Sequence, residues 1–284
     1  MACVDCFSGS IWSAEPVGTT STIHGVRTYV TGLSPSQKPS TTIVFITDAF
    51  GLNLVNSKLL ADAYGTATGF RVLVPDIIPG GGVPVDSLSL MNSVRAPVSW
   101  WNIWGHLKRV ANIIRMMSIF IPFARRTKNA FPSILAYTRA VRSELSAAGK
   151  LGVAGFCWGA MQSVQLCAEP AIEGGSEPLV DAHFAAHPSG LKATDLVRYS
   201  RRFVVPFSLA LGDEDFIFSK DVAANLEVGL REIYSEEPSH FEARMYTGCG
   251  HGFAVRADRE KTNEDKAANE AASQAAEWFQ KFLA

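Results

Sequence analysis

Cysteine, net charge and uninterrupted apolar runs are all scarce in this sequence. Its 284 residues hold five cysteines, at positions 3, 6, 157, 167 and 249. So thin and odd a set is unlike the dense even sets of small secreted scaffolds, and free thiols in a reducing compartment, the cytoplasm, are expected. The 26 basic side chains nearly balance the 27 acidic ones and leave a net charge of −1, which gives no global electrostatic case for nucleic acid. The first residues, Met-Ala-Cys-Val-Asp-Cys, put an acid where a secretory leader needs a basic start and an apolar run, so no signal is read. The longest apolar-looking region, 100–124, is interrupted by His106, Lys108, Arg109, Asn112 and Arg115. A membrane-spanning helix of about 20 apolar residues rarely tolerates that, and no span is expected. Repeats and low-complexity linkers are lacking too. With 47% hydrophobic and 19% charged residues the chain is not disordered, and it is read as one domain, 1–284, with a sizeable core.

Short strand-favouring runs alternate with segments of helical period. Strands are expected at Ile43–Ile46, Arg71–Asp76, Lys150–Gly155, Ala182–Ala186, Val204–Leu211 and Phe241–Tyr246. Helices are expected at Asn53–Thr68 (Leu54, Leu59, Leu60 and Ala63 on one side), Met161–Ala168, Ser219–Tyr234 and Glu264–Phe282. That alternation predicts an α/β fold, a doubly wound and mostly parallel sheet with both faces covered. Sites in such sheets lie outside the carboxyl ends of the strands. One segment breaks the rhythm: Pro79-Gly80-Gly81-Gly82, then Trp100, Trp101, Trp104 and an apolar stretch to Phe123. It reads either as a buried helix pair or as a cap over an apolar pocket, taken as an insertion spanning 79–132. The cations Lys108, Arg109, Arg115, Arg125 and Arg126 also fit a membrane-surface helix.

Chemistry concentrates at three strand ends. Gly155-Phe156-Cys157-Trp158-Gly159 has the strand–turn–helix context of a nucleophile elbow, with cysteine in place of serine. Glycines two before and two after relieve collisions around a strained turn, and the helix N-terminus favours a thiolate. Gly212-Asp213-Glu214-Asp215 closes the next-to-last strand, and Gly248-Cys249-Gly250-His251-Gly252-Phe253 follows the last. Nucleophile, acid and histidine thus arrive in the chain order of an α/β-hydrolase triad. Asp48, in Asp48-Ala49-Phe50-Gly51-Leu52-Asn53, and His187, in His187-Pro188-Ser189-Gly190, also end strands. His183, Cys167 and Cys249 read as packing. Cys3 and Cys6 form a single C-x-x-C pair without the second pair a structural zinc needs, so no metal is expected. Gly80-Gly81-Gly82 lacks the lysine of a phosphate loop and reads as a hinge.

On the strings D-A-F-G-L-N, V-P-D, G-F-C-W-G, G-D-E-D-F and G-H-G-F, the sequence from about Gly25 to its C-terminus resembles the dienelactone hydrolase family. The N-terminal C-x-x-C-F-S-G and the H-P-S-G string are similar to its fungal-type, eukaryotic branch. The resemblance implies an α/β-hydrolase fold and an ester hydrolase, with Cys157 as nucleophile, Asp215 as acid, His251 as base, and the amides of Trp158 and Ala49 as oxyanion hole. It implies no cofactor. Bacterial members carry a glutamate at the place of Asp48 that helps form the thiolate; aspartate is one methylene shorter. They also hold a substrate carboxylate with an arginine four residues after the histidine, where this chain has Val255, with Arg256 one further. Substrate contacts are expected from Asp48, Phe50, Trp101, Trp104, His187 and Arg256. The expected partner is a small-molecule ester or lactone, and a homodimer is left open. Alternative functions are a biosynthetic thioesterase, lactonase or cyclase for an aromatic or polyketide-like substrate, or a binding protein without turnover.

Overall fold

The computed structural model describes residues 10–32, 41–95, 97–190, 192–216 and 219–284. Cys3 and Cys6 lie outside the described residues. Eight strands form one sheet among them: β1 (Thr19–Ile23), β2 (Val26–Thr31), β3 (Thr41–Ile46), β4 (Arg71–Pro75), β5 (Lys150–Phe156), β6 (Ala182–Ala186), β7 (Phe207–Gly212) and β8 (Phe241–Tyr246). Their order is β1-β2-β4-β3-β5-β6-β7-β8. From β4 to β8 every pairing is parallel, and β2 runs against its two neighbours.

The helices are α1 (Val55–Thr68), α2 (Ser87–Arg95), α3 (Ile103–Thr127), α4 (Phe131–Glu144), α5 (Trp158–Leu166), α6 (Ala193–Ser200), α7 (Lys220–Ile233), α8 (Phe253–Arg256) and α9 (Thr262–Leu283). Period-two geometry shows how they cover the sheet, since residues an odd number apart on a strand face opposite ways. On β5, a side chain at Gly152 would meet Phe279 and Leu283 of α9, whereas one at Gly155 would meet Ser163 and Ala160 of α5. One face therefore rests on α9 and its neighbour α1, the other on α5. Strands buried on both sides must be apolar throughout, as Thr41–Ile46 and Phe207–Gly212 are nearly, with every residue buried.

The expected strands are all present, Ala182–Ala186 and Phe241–Tyr246 with the expected bounds and the other four with shifted ones. Val204 does not open β7, which begins only after Pro206; proline has no N–H for a ladder, and Val204 itself has φ of 49°. The helix after Cys157 starts three residues earlier than expected, at Trp158. Ala63 is exposed, because the buried face of α1 is set by Asn56, Ser57, Leu60, Ala61, Tyr64 and Gly65. The β1–β2 hairpin, α4, α6 and α8 had no counterpart in the sequence reading, whereas α2 and α3 fall in the segment read as a helix pair or cap. Gly80–Gly82 is not an untethered hinge: Arg126 of α3 donates from Nε to the Pro79 carbonyl (2.8 Å) and from Nη2 to the Gly81 carbonyl (2.7 Å).

Candidate active site

The site begins with a backbone that the sequence must force. Between β5 and α5, Cys157 adopts φ 51°, ψ −114°, a region non-glycine residues enter only when their surroundings over-determine it. Those surroundings are glycine-dependent. A Cβ on Gly155 would overlap the Ser163 side chain, and one on Gly159 would sit on the carbonyl oxygens of Ile46 and Thr47 at the end of β3. The tight turn lifts Cys157 above the sheet edge at the N-terminus of α5. There the amides of Trp158 and Ala49 carry no protein hydrogen bond among the described residues.

Two neighbouring strand ends supply the partners. His251, in the loop after β8, brings Nε2 to 3.1 Å from Cys157 Sγ. Its Nδ1 lies 2.9 Å from Asp215 Oδ2, just past β7. Asp215 and His251 are 2% and 6% exposed, so this row of thiol, imidazole and carboxylate works in a low dielectric where each charge feels the next. Burial pushes the Cys157 thiol up, but the charge and hydrogen bond of His251, aided by Arg256, outweigh it and hold the thiol below its ordinary value. Burial likewise disfavours a charged His251, yet Cys157 and Asp215 together raise it to about 9. The pair thus favours thiolate facing imidazolium. Asp213 is turned elsewhere, accepting from the Gly248 amide at 2.7 Å.

Asp48 is buried beside them. Its Oδ1 accepts from the Phe50 amide (3.0 Å), and its Oδ2 lies 3.1 Å from Nε of Arg256, an ion pair whose N–H is not aligned on the oxygen. Burial lifts the Asp48 carboxyl above the usual carboxylate range, partly countered by Arg256. The guanidinium also lies over the Phe50 ring, 5.3 Å from its centroid.

These groups open into a cavity of about 370 Å³. Cys157, His251, Asp48, Ala49, Phe50, Trp158 and Arg256 line it, with Phe120, Phe123 and Thr127 of α3 opposite. A larger open groove of about 1130 Å³ lies among residues of β8 and α9, past Arg244 and Glu270, and holds none of these residues. Two expectations are corrected. Trp101 and Trp104 are 69% and 82% exposed and do not reach the cavity; the packed face of α3 is the one bearing Phe123 and Thr127. His187 is not on the cavity wall either. It is fully buried behind His251, ring centroids 5.1 Å apart, in an aromatic nest with Phe156 and Phe253. Its ring nitrogens have no partner among the described residues, and burial keeps it neutral. His183, Cys167 and Cys249 are buried as expected, His183 stacked on Phe207 and bonded to Ser163 at 2.8 Å.

The sequence reading passed over Ser189, whose Oγ lies 3.4 Å from Cys157 Sγ. Its signal was available: β6 neighbours β5, so the H-P-S-G loop after β6 must stand beside the turn after β5.

An α/β sheet carrying such a row at its carboxyl edge, with free amides at a helix start, has the layout of an α/β-hydrolase. Solved structures agree in fold. A Klebsiella pneumoniae protein classed as a dienelactone hydrolase superposes with a TM-score of 0.58 at 14% identity, over 94% of this chain and 99% of that one. Esterase 2 of Thermogutta terrifontis gives 0.58 at 14% identity, over 95% and 98%. The dienelactone hydrolase family model matches residues 26–283, and the chain belongs to that family, an esterase-like hydrolase. Among curated relatives, the hydrolase pyvD of Aspergillus violaceofuscus is 27% identical over 98% of this chain and 96% of its own length. Dienlactone hydrolase 1 of Gibberella moniliformis is 27% identical over 88% and 82%.

Proposed function

We propose that this hydrolase cleaves a compact, largely apolar carboxylic ester, of lactone or enol-ester type, through a thioester on Cys157. The observation that carries the reading is the unbroken row Asp215–His251–Cys157, at 2.9 and 3.1 Å, opening into a cavity of drug-like size. Cys157 Sγ attacks the carbonyl carbon, and the carbonyl electrons move to oxygen, where the amides of Trp158 and Ala49 receive the negative charge. As the tetrahedral centre collapses, the C–O bond breaks and His251 Nε2 gives its proton to the departing alkoxide or enolate. Water then attacks the thioester while His251 takes one of its protons; the C–S bond breaks and the acid leaves with thiolate and imidazolium restored. One water is consumed and no oxidant or metal enters. Asp215 holds the imidazole in the tautomer that faces sulfur and opposes its positive charge.

Asp48 acts in this scheme as a charge held in place by Arg256 and the Phe50 amide, not as the immediate base for the thiol. Residues 79–132 form the cap, its contribution made by Phe120, Phe123 and Thr127 and not by the tryptophans. Hydrolysis of p-nitrophenyl acetate and of an enol lactone by wild type and Cys157→Ala tests the proposal. The variant is expected to lose activity on both while melting as wild type does. Retained turnover would overturn it.

A further inference from the structure

Helix α3 presents a face that nothing among the described residues covers. Ile103, Leu107, Val110, Ile114, Met117 and Ile121 follow one another at steps of three and four residues, which places them along one line of the helix. Each is at least 40% exposed. At the N-terminal end of that line stand Trp100, Trp101 and Trp104, 81%, 69% and 82% exposed. The opposite side, with Phe123 and Thr127, is the one packed on the protein. A contiguous apolar strip on a 25-residue helix, about 37 Å long, is far more than the scattered exposed hydrophobes of a soluble surface and marks a binding face.

Charge identifies the occupant. The helix carries Lys108, Arg109, Arg115, Arg125 and Arg126 and no acidic residue, so it holds +5 in a chain whose net charge is −1, and the remaining residues carry −6. Arg126 is engaged with the 79–81 loop, but Lys108, Arg115 and Arg125 are exposed. Lys108 and Arg115 flank the apolar line on its tryptophan side. A second copy of the same face would set cation against cation with no acid to compensate. An anionic phospholipid surface answers every feature: it attracts the cations, accepts the aliphatic line into its acyl boundary and suits tryptophan at headgroup depth. No helix among the described residues is long and apolar enough to cross a membrane, which leaves α3 lying in the interface plane. We propose that α3 is an interfacial helix that docks this protein on anionic lipid bilayers. The docking does not depend on the hydrolytic reading, and its test does not use activity.

Flotation of the full chain with vesicles of phosphatidylcholine alone, or with about 30% phosphatidylserine, tests this at low and physiological salt. Wild type is expected to float with the phosphatidylserine vesicles, weakly or not at all with phosphatidylcholine, and less as salt rises. Tryptophan emission should shift to the blue on binding. Each cation near an anionic surface contributes roughly fivefold, so the triple variant Lys108→Glu/Arg115→Glu/Arg125→Glu, which removes three cations and adds three repelled anions, should bind more weakly by at least a factor on the order of 100. Ile114→Asn/Met117→Asn should lose the blue shift. Because all these side chains are exposed, circular dichroism and melting should match wild type. Failure of wild type to float, or flotation unaffected by charge reversal, overturns the proposal. So does sedimentation showing a dimer that Ile114→Asn/Met117→Asn dissociates, without lipid binding, since a second copy would then be the occupant.

Discussion

Replacing Asp48 with asparagine isolates a charge without removing a shape. The amide oxygen can still accept from the Phe50 N–H as Oδ1 does at 3.0 Å, but Arg256, 3% exposed, is left without the anion beside its Nε. Removing one partner of a buried pair costs about 3 to 5 kcal/mol, because the other charge stays desolvated. With an unfolding entropy of about 2.1 cal/mol/K per residue, a chain of 284 residues has about 0.6 kcal/mol/K in all, so melting should fall by about 5 to 8 °C. Arg256→Met should cost a similar amount. The double variant Asp48→Asn/Arg256→Met should recover most of the loss, since an apolar replacement of a whole buried pair is often neutral. The two single variants should move Cys157 in opposite directions: Asp48 raises its thiol and Arg256 lowers it, so Asp48→Asn makes alkylation begin at lower pH and Arg256→Met at higher pH. Calorimetric melts and iodoacetamide rates against pH read both effects. Single variants melting within about 1 °C of wild type, or a double variant whose loss is the sum of the two, would refute the coupling.

Three further outcomes follow from the geometry. Iodoacetamide at pH 7 should label Cys157 ahead of Cys249, which burial pushes up to about 12, and Cys167, which burial raises too; in His251→Asn, burial of Cys157 is opposed only by the weaker influence of Arg256 and labelling at pH 7 should fall sharply, as peptide mapping will show. Asp215→Asn should lower kcat by a factor on the order of 10³ to 10⁴ with the fold intact, whereas Asp213→Asn, still able to accept from the Gly248 amide, should be nearly silent; the reverse order in steady-state assays would move the acid by two residues. Phe123→Ala, buried on the cavity wall, should cost about 3 to 5 kcal/mol in denaturant melts and change preference for acyl size, while Trp101→Ala and Trp104→Ala should leave both unaltered.

Most of the sheet was legible because parallel strands covered on both faces must be apolar over short runs, and Ile43–Ile46 or Ala182–Ala186 can hardly be anything else. The hairpin was not. Thr-Thr-Ser-Thr-Ile of β1 is almost wholly exposed, so it lacks the alternation that burial writes into a sequence. Cys157, Asp215 and His251 were readable because each closes a strand and the glycines around them are dictated by backbone clashes. The partnership of Asp48 with Arg256 joins residues far apart in the chain and leaves no local signature. The tryptophans misled for a physical reason: α3 is apolar on two sides, Phe120 and Phe123 on one and Leu107 and Ile114 on the other, and sequence periodicity does not say which side meets protein. Tryptophan suggested burial, whereas Trp100, Trp101 and Trp104 are exposed and the buried aromatic of α3 is Phe123.

The central claim is that the acyl group passes through sulfur. Two nucleophiles stand 3.4 Å apart at the mouth of the reaction, Cys157 Sγ and Ser189 Oγ, so the most direct test is rapid quenching of wild-type protein with an activated acyl ester into acid, followed by peptide mass spectrometry. An acyl group on Cys157, cleaved by neutral hydroxylamine and formed as fast as the first product is released, is the expected result. An acyl group on Ser189, or acylation of Cys157 slower than turnover, would contradict the account.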